Sequence, residues 1–245
     1  MAKQVRVEKV VTDEAPVYVL HLEGTPNENG GGFMNKLNNE FLADFQSALD
    51  FVEKDAKGGE AGLVTVSKGK HYSDGLDLNF VLGIDSVEAK IQFLKNVELL
   101  FFRLLTFPMP TVAAVNGHAF AGGMLLALAH DYRISNNEKG FWCMSEIDIG
   151  SPLTPGYSAL LNAKLNPQIA SHMMISGARL NAKEMQNHGV VWDTAKGEAA
   201  VLEAAIKLAA KVGTKAKPVM REIKEDLWWS TAKQLRDGSA ARSKL

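Results

Sequence analysis

The chain has 245 residues, of which 46% are hydrophobic and 22% charged, enough for one sizeable α/β core with a small helical appendage. Its formal net charge of -1, with no evident basic face, argues against a nucleic-acid partner. A single cysteine, Cys143, excludes an internal disulfide framework and fits a reducing compartment.

The first half of the chain alternates between strand and helix patterns. Residues 5–11 and 17–22 predict two paired strands. Apolar residues at helical spacing predict helices over 38–54 and 87–106, and the run 61–67 predicts a strand between them.

The second half continues this pattern. A strand over 111–115, a helix over 122–130 and a strand over 132–135 are predicted to form a βαβ-like unit with a right-handed crossover. Residues 141–147 predict the next strand. From residue 197 onward the pattern is helical.

Two asparagines mark further helix starts. Asn166 before Pro167 is typical of the first residues of a helix, and Asn181 can cap another.

The segment 111–131, TVAAVNGHAFAGGMLLALAHD, joins a β-branched strand to an apolar helix through a pair of glycines. The first turn of a helix leaves its N–H groups without intrahelical partners, and the helix dipole places partial positive charge there. Since Gly122 and Gly123 have no Cβ, an anionic oxygen can approach this backbone closely. The alternative is that both glycines only allow tight helix packing. Polar residues and glycines interrupt the segment, so a strand, turn and helix are preferred to a membrane span.

A second glycine turn follows the strand over 61–67. In GKHYSDGLDL, Gly75 lies between two acidic residues, and two such turns can converge on one oxygen. Further along, MSEIDIGSPLTPG places Glu146 in an apolar segment that ends at Gly150. In such a setting a carboxylate is either paired structurally or kept for proton transfer.

Together, YSDGLDL, NGHAFAGGMLLALAHD and SEIDIG resemble, in order and spacing, three motifs of the crotonase (enoyl-CoA hydratase/isomerase) superfamily. The resemblance implies an α/β fold, a crotonase-like spiral of repeated ββα units over residues 1–195 that carries the active site. A C-terminal helical region over 196–245 is expected to follow. Because such helices build trimers in this family, a homotrimer or hexamer is expected.

The resemblance also assigns roles to three residues. The backbone N–H groups of Leu76 and Gly122 would form an oxyanion hole for the carbonyl of an acyl-CoA thioester, and Glu146 would be the catalytic base. Preorganised donors stabilise the charge that develops on this oxygen, so enolate formation becomes accessible. Apolar neighbours, such as Met144 and Ile147, are expected to raise the proton affinity of Glu146.

The number of carboxylates around the acyl chain separates the reactions of this family. Its hydratases use a second glutamate on the helix after the oxyanion glycines, where this chain has Leu125. Its dienoyl-CoA isomerases use an acid eight residues beyond the first glutamate, where this chain has Thr154. One glutamate suffices for a 1,3-proton shift. The resemblance therefore implies a Δ3-Δ2-enoyl-CoA isomerase, similar to the plant peroxisomal group, that acts in β-oxidation of unsaturated fatty acids.

Other functions stay open at this point. Strand alternation would place Asp148 on the same side as Glu146, and a second acid at the acyl chain would favour a hydratase. The alternatives are a hydratase or thioesterase on the same fold, and a catalytically silent protein that binds acyl-CoA or a protein partner.

The resemblance extends to substrate binding and location. Lys70 corresponds to a family lysine that contacts CoA, and Lys68 is a candidate to assist, the alternative for both being an ordinary solvated face. CoA is part of the substrate, and no metal or further cofactor is expected. The last three residues, Ser243, Lys244 and Leu245, match a signal read by the peroxisomal import receptor, so a peroxisomal location is expected.

Overall fold

The computed structural model describes residues 3–28 and 30–238. The strands within these ranges are β1 (Val5–Val10), β2 (Val17–Leu22), β3 (Gly62–Val66), β4 (His71–Ser73), β5 (Thr111–Val115), β6 (His118–Phe120), β7 (Tyr132–Asn136), β8 (Trp142–Cys143) and β9 (Asp193–Ala195). The helices are α1 (Asn39–Ala56), α2 (Leu78–Leu82), α3 (Val87–Leu105), α4 (Gly122–Leu128), α5 (Pro155–Lys164), α6 (Pro167–Ser176), α7 (Ala182–Asn187), α8 (Glu198–Gly213), α9 (Met220–Leu227) and α10 (Trp229–Asp237). None of the helices in this part of the chain is long and apolar enough to cross a membrane.

The strands form two sheets that wind together. A six-stranded sheet has the order β1-β2-β3-β5-β7-β9, and a three-stranded sheet has the order β4-β6-β8. Among the strands of the described residues, β1 and β2 pair antiparallel and the other pairs are parallel. Three successive strand pairs, β3-β4, β5-β6 and β7-β8, build this arrangement. Each pair adds one strand to the large sheet and one to the small sheet, and a helix follows it. The expected spiral of ββα units is confirmed.

Helices cover both faces of the large sheet. The larger core cluster joins α1, α3 and α4 to the sheet and includes Phe45, Phe101 and Leu126. On the opposite face, Val201, Ala205 and Ala209 of α8 pack on the valines of the inner strands. A Cβ on Gly62 would overlap the backbone of Ala209, so this helix lies directly against β3.

Most predicted elements are present, including the antiparallel β1 and β2 and the caps at Asn166 and Asn181. The strand predicted over 141–147 is wrong beyond Cys143. On its other side, Trp142 exchanges backbone hydrogen bonds with Leu180. The chain then enters a turn, in which Asp148 N donates to Ser145 O and Gly150 N donates to Ile147 O. Glu146 therefore lies in a turn and not on a strand.

Candidate active site

The two glycine turns are adjacent in space. Gly75 has a φ of +83°, which favours glycine, and Gly122 is the first residue of α4. A Cβ built on Gly75 would lie 2.7 Å from Gly122 N, and one built on Gly122 would lie 3.4 Å from Leu76 N. The backbone nitrogens of Leu76 and Gly122 are thus brought to one place.

The hydrogen bonds of Leu37 fix the direction of the Leu76 N–H. Leu37 N donates to Gly75 O at 2.7 Å, and Asp77 N donates to Leu37 O at 2.9 Å. In this parallel bridge Leu37 bonds to the residues on either side of Leu76, so the N–H of Leu76 points away from Leu37. Within the described ranges, neither the N–H of Leu76 nor that of Gly122 has a protein acceptor. Both donors are available to a ligand oxygen.

The residue before Gly122 makes the sharp turn from β6 into α4. Ala121 has φ 49° and ψ -121°, an unusual conformation for a residue with a side chain, and its N–H donates to Cys143 O at 2.8 Å. The two glycines that follow differ in role. A Cβ on Gly123 would overlap the backbone of Ser73, whereas one on Gly122 would meet its neighbours at 3.3 to 3.4 Å. Tight packing thus explains Gly123, and open access to the backbone explains Gly122.

Glu146 is half-buried in the turn after β8. Burial raises the pKa of its carboxyl above the usual value, an effect that a hydrogen bond from its own backbone N–H partly opposes. Its Oε2 is shielded from solvent and has no hydrogen-bond partner among the described residues. A carboxylate in this setting has the raised proton affinity that a general base needs.

Leu76 and Glu146 line the same cavity, whose volume is ≈ 480 Å³. Ala121, next to Gly122, completes this part of the wall. The remaining lining comes mainly from α2, α3 and the Glu146 turn: Asp74, Leu78, Val81, Val87, Lys90, Ile91, Leu94, Ser145, Ile149 and Ser151. The cavity is therefore mostly apolar with a few polar groups, which suits an acyl chain with a polar head.

The expectation that Asp148 shares the side of Glu146 is wrong, because strand alternation does not apply within a turn. The Asp148 carboxylate faces Gly177, whose built Cβ would lie 3.2 Å from both oxygens, and Asp148 does not line the cavity. Leu125 is fully buried in the core, and Thr154 donates to Glu98 Oε1 at 2.6 Å. None of these three positions brings an acid into the cavity.

Sequence reasoning missed Asp74 as a second carboxylate in the cavity. An Asp74 oxygen lies 2.5 Å from His71 Nδ1. The sequence did contain a signal for this residue, because Asp74 directly precedes Gly75 in the first glycine turn.

The two candidate CoA lysines lie in different clefts. Lys70 lines one of ≈ 640 Å³ with His118, whose pKa is lowered to about 4 by burial and by the nearby charges of His71 and Lys70. Lys68 lines another of ≈ 430 Å³ beside Glu198. Neither lysine has an ion-pair partner in the described part of the chain. No group of three or more potential metal ligands occurs among the described residues.

Comparison with known proteins gives a consistent picture. The chain is 35% identical over 179 residues to enoyl-CoA delta isomerase 3 of Arabidopsis thaliana, covering 71% of this chain and 74% of the relative. It is 33% identical over 180 residues to the Arabidopsis enoyl-CoA delta isomerase 1, named peroxisomal, covering 73% and 74%. Human mitochondrial delta3-delta2-enoyl-CoA isomerase superposes with a TM-score of 0.81 at 25% identity, covering 95% of this chain and 86% of that one.

The shared architecture is the crotonase fold. Residues 31–245 match the family described as enoyl-CoA hydratase/isomerase, which includes the two glycine turns and the glutamate turn described above. This chain therefore belongs to the enoyl-CoA hydratase/isomerase family.

Proposed function

We propose that this protein is a Δ3-Δ2-enoyl-CoA isomerase that converts 3-cis- or 3-trans-enoyl-CoA to 2-trans-enoyl-CoA. The observation that carries the proposal is the convergence of two unpartnered backbone donors, at Leu76 and Gly122, with Glu146 at one apolar cavity. Similarity to enzymes named enoyl-CoA delta isomerase supports it.

The proposed reaction is a 1,3-proton shift. The thioester oxygen accepts hydrogen bonds from the two N–H groups, and the Glu146 carboxylate removes a proton from C2. The C2 electron pair delocalises through the C3–C4 double bond and the thioester, giving a dienolate whose negative charge lies largely on the held oxygen. Glu146 then returns the proton to C4 as the double bond forms between C2 and C3. Substrate and product have the same atoms, and the carboxylate is regenerated.

Two features of the chain support isomerisation over hydration. Leu125, at the helix position of the second hydratase glutamate, is buried in the core and has no polar group. Glu146 alone can both remove and return the proton because C2 and C4 are only two bonds apart, on either side of C3.

Asp74 favours a second candidate function. Its carboxylate lines the same cavity as Glu146 and can accept a proton from water, as hydration of a 2-enoyl-CoA or hydrolysis of the thioester requires. A silent acyl-CoA-binding protein is the third alternative, since the fold alone does not establish catalysis.

The test is to incubate purified protein with 3-cis- and 3-trans-hexenoyl-CoA and to follow the conjugated enoyl thioester by ultraviolet absorbance. Parallel incubations with 2-trans-hexenoyl-CoA measure 3-hydroxyacyl-CoA and free CoA. We expect rapid isomerisation with little hydration or hydrolysis, and near-complete loss in Glu146→Gln with ligand binding retained. Asp148→Asn is the matched control, because it neutralises a carboxylate of the same turn that faces away from the cavity. Water addition or CoA release faster than isomerisation would instead support the Asp74 candidate.

We further propose that the protein acts in peroxisomal β-oxidation of unsaturated fatty acids, as a homotrimer or hexamer that the import receptor recognises through Ser243, Lys244 and Leu245. Those three residues lie outside the described part of the chain. The peroxisomal name of a close relative supports the location. Imaging of the tagged protein with a peroxisomal marker tests the location, and light scattering of the purified protein tests the assembly.

A further inference from the structure

A histidine and a carboxylate meet at the first glycine turn. His71 Nδ1 of β4 lies 2.5 Å from Asp74 Oδ1, and both atoms are shielded from solvent. Two unprotonated atoms at this distance would repel each other through their lone pairs, so at least one of the two groups carries a proton. The contact does not have the angles of a hydrogen bond, which leaves Coulomb attraction to hold the two groups together.

A second histidine packs on this pair and stays neutral. The ring of His118 in β6 lies 5.1 Å from that of His71, centre to centre. His118 Nδ1 accepts a hydrogen bond from Phe141 N at 3.1 Å, so this nitrogen carries no proton. Burial and the positive charges of His71 and Lys70 lower the pKa of His118 to about 4. Of the two histidines, His71 is therefore the one that can carry a positive charge at neutral pH.

Asp74 stands at the wall of the candidate active site. It lines the cavity together with Leu76 and Glu146, and its N–H donates to Met34 O at 2.9 Å, which fixes the backbone of the turn. Only Gly75 separates Asp74 from Leu76, and two Cα–Cα steps span less than about 8 Å. The Asp74 carboxylate thus lies near the oxygen that the Leu76 N–H would hold.

The proposed proton shift moves negative charge towards Asp74. The charge starts on the Glu146 carboxylate, whose pKa is raised by burial and not by a neighbouring charge. It ends largely on the thioester oxygen, beside the turn that carries Asp74. An unbalanced negative charge on Asp74 opposes this movement. At an effective dielectric constant of about 20, a unit charge roughly 10 Å away changes an equilibrium on the order of ten-fold.

We propose that His71 holds a proton as an imidazolium and balances the negative charge of Asp74 beside the oxyanion hole. His71 does not line the cavity, so it acts through Asp74 as a positioning residue and not as a catalytic residue. The inference rests on the proposed isomerisation, with the Leu76 N–H as an oxyanion donor. Loss of the His71 proton as pH rises leaves Asp74 unbalanced, so kcat should fall on the alkaline side.

Other charged and titratable groups surround His71. Lys70 precedes it in the chain, and His118 packs on it from β6. The Arg179 guanidinium lies 5.7 Å from the centre of the Phe120 ring, and its positive charge acts on His118. None of these groups is altered in the variants that test the proposal.

The test compares the pH profile of kcat in wild type, His71→Asn and His71→Asn/Asp74→Asn. Asparagine at position 71 keeps an N–H donor on a short side chain but carries no charge. On the plateau of the wild-type profile, we expect His71→Asn to lower kcat about ten-fold with KM little changed, and to remove the alkaline limb. The double variant should recover most of the loss, because the local net charge is again that of wild type.

A second measurement does not depend on turnover. Bound 3-oxobutanoyl-CoA forms an enolate that is followed by its near-ultraviolet absorbance, and this enolate places negative charge next to the oxyanion donors. The pH at which half of the bound ligand is enolate should rise by about one unit in His71→Asn, the equivalent of a ten-fold change, and return in the double variant.

His172→Asn is the matched control, because His172 is an exposed histidine of α6 that does not line the cavity. It should leave both pH profiles as in wild type. An alkaline limb that persists in a folded His71→Asn protein would overturn the inference, as would a double variant no more active than His71→Asn. Thermal unfolding of each variant establishes that it is folded. A wild-type protein that does not isomerise 3-enoyl-CoA would refute the proposed function instead, while the enolate titration would still report on the charge pair.

Discussion

Leu76 N lies 3.4 Å from the point that a Cβ on Gly122 would occupy, while a Cβ on the next residue, Gly123, would overlap the backbone of Ser73. Two neighbouring glycines therefore serve different purposes. Gly122 keeps a space open in front of a backbone donor, and Gly123 allows the start of α4 to pack on β4.

Gly122→Ala should leave the fold intact but remove most of the activity. Its methyl group would meet Gly75, Leu37 and Leu76 at 3.3 to 3.4 Å, which small shifts can relieve. The methyl would crowd the oxyanion, and loss of one donor in such a site typically costs about 3 to 4 kcal/mol of transition-state stabilisation, or roughly a hundred-fold or more in kcat. Steady-state kinetics and the thermal midpoint, measured together, check this.

Gly123→Ala is the matched comparison, and we expect the opposite result. Overlap with the backbone of Ser73 cannot be relieved by a side-chain rotation, so this variant should be destabilised by about 1 to 3 kcal/mol or more. If Gly122→Ala kept full kcat, the assignment of Gly122 as a donor would be wrong.

Much of the fold was predictable because apolar periodicity and helix caps are local signals. Strands β4, β6 and β9 were not predicted; each has three residues and depends on pairing with distant segments. The end of β8 was misplaced for the same reason: the apolar run 141–144 and the apolar Ile147 favour a longer strand, but the neighbouring strand β6 pairs only as far as Cys143.

The candidate site shows the same division. Leu76, Gly122 and Glu146 were predictable as motif residues, since each motif is contiguous in the sequence. Asp74 was missed although it belongs to the first motif, because only the packing of β4 against other elements shows which residues of that motif line the cavity. No periodicity or spacing in the sequence reports such contacts.

The α3 wall of the cavity should set the acyl chain length. Leu94→Phe adds volume inside the cavity, so we expect kcat/KM to fall about ten-fold more for dodecenoyl-CoA than for hexenoyl-CoA, equivalent to roughly 1.4 kcal/mol of overpacking. Leu82→Phe is the control, because Leu82 of α2 is exposed and does not line the cavity. Equal losses for both chain lengths would show that the acyl chain lies elsewhere.

Lys70 is expected to contribute more to CoA binding than Lys68. An exposed charge pair is worth at most about 1 kcal/mol, so Lys70→Ala should weaken binding of the acyl-CoA roughly five-fold at low salt, and less at high salt. Calorimetry of acyl-CoA binding to wild type, Lys70→Ala and Lys68→Ala compares the two lysines. An enoyl-pantetheine, which lacks the nucleotide phosphates, should bind equally to wild type and Lys70→Ala; a loss with that ligand would contradict a phosphate contact.

The anchoring of α9 to the sheet depends on one buried ion pair. Lys224 Nζ lies 2.5 Å from Asp131 Oδ2 and donates to Met109 O at 2.8 Å, while Asp131 Oδ2 also accepts from Thr111 N at 2.8 Å. Asp131→Asn leaves the Lys224 charge buried without its partner. The free energy of unfolding should fall by about 3 to 5 kcal/mol near neutral pH, measured by denaturant titration.

The pH dependence of this loss has a defined sign. Burial lowers the pKa of Lys224 below 10.5, against the opposing effect of Asp131. Between the folded and unfolded pKa values the unfolded chain binds one more proton, so stability rises with pH in that window. Without the Asp131 carboxylate the pKa of Lys224 in the folded protein falls further, so the pH range in which stability rises begins at a lower pH. The difference in the free energy of unfolding between Asp131→Asn and wild type should therefore narrow as pH rises towards 10.5. The double variant Asp131→Asn/Lys224→Met should recover much of the lost stability at neutral pH. A gap that is constant with pH would mean that the lost hydrogen bonds to Thr111, and not the unpaired charge, cause the destabilisation.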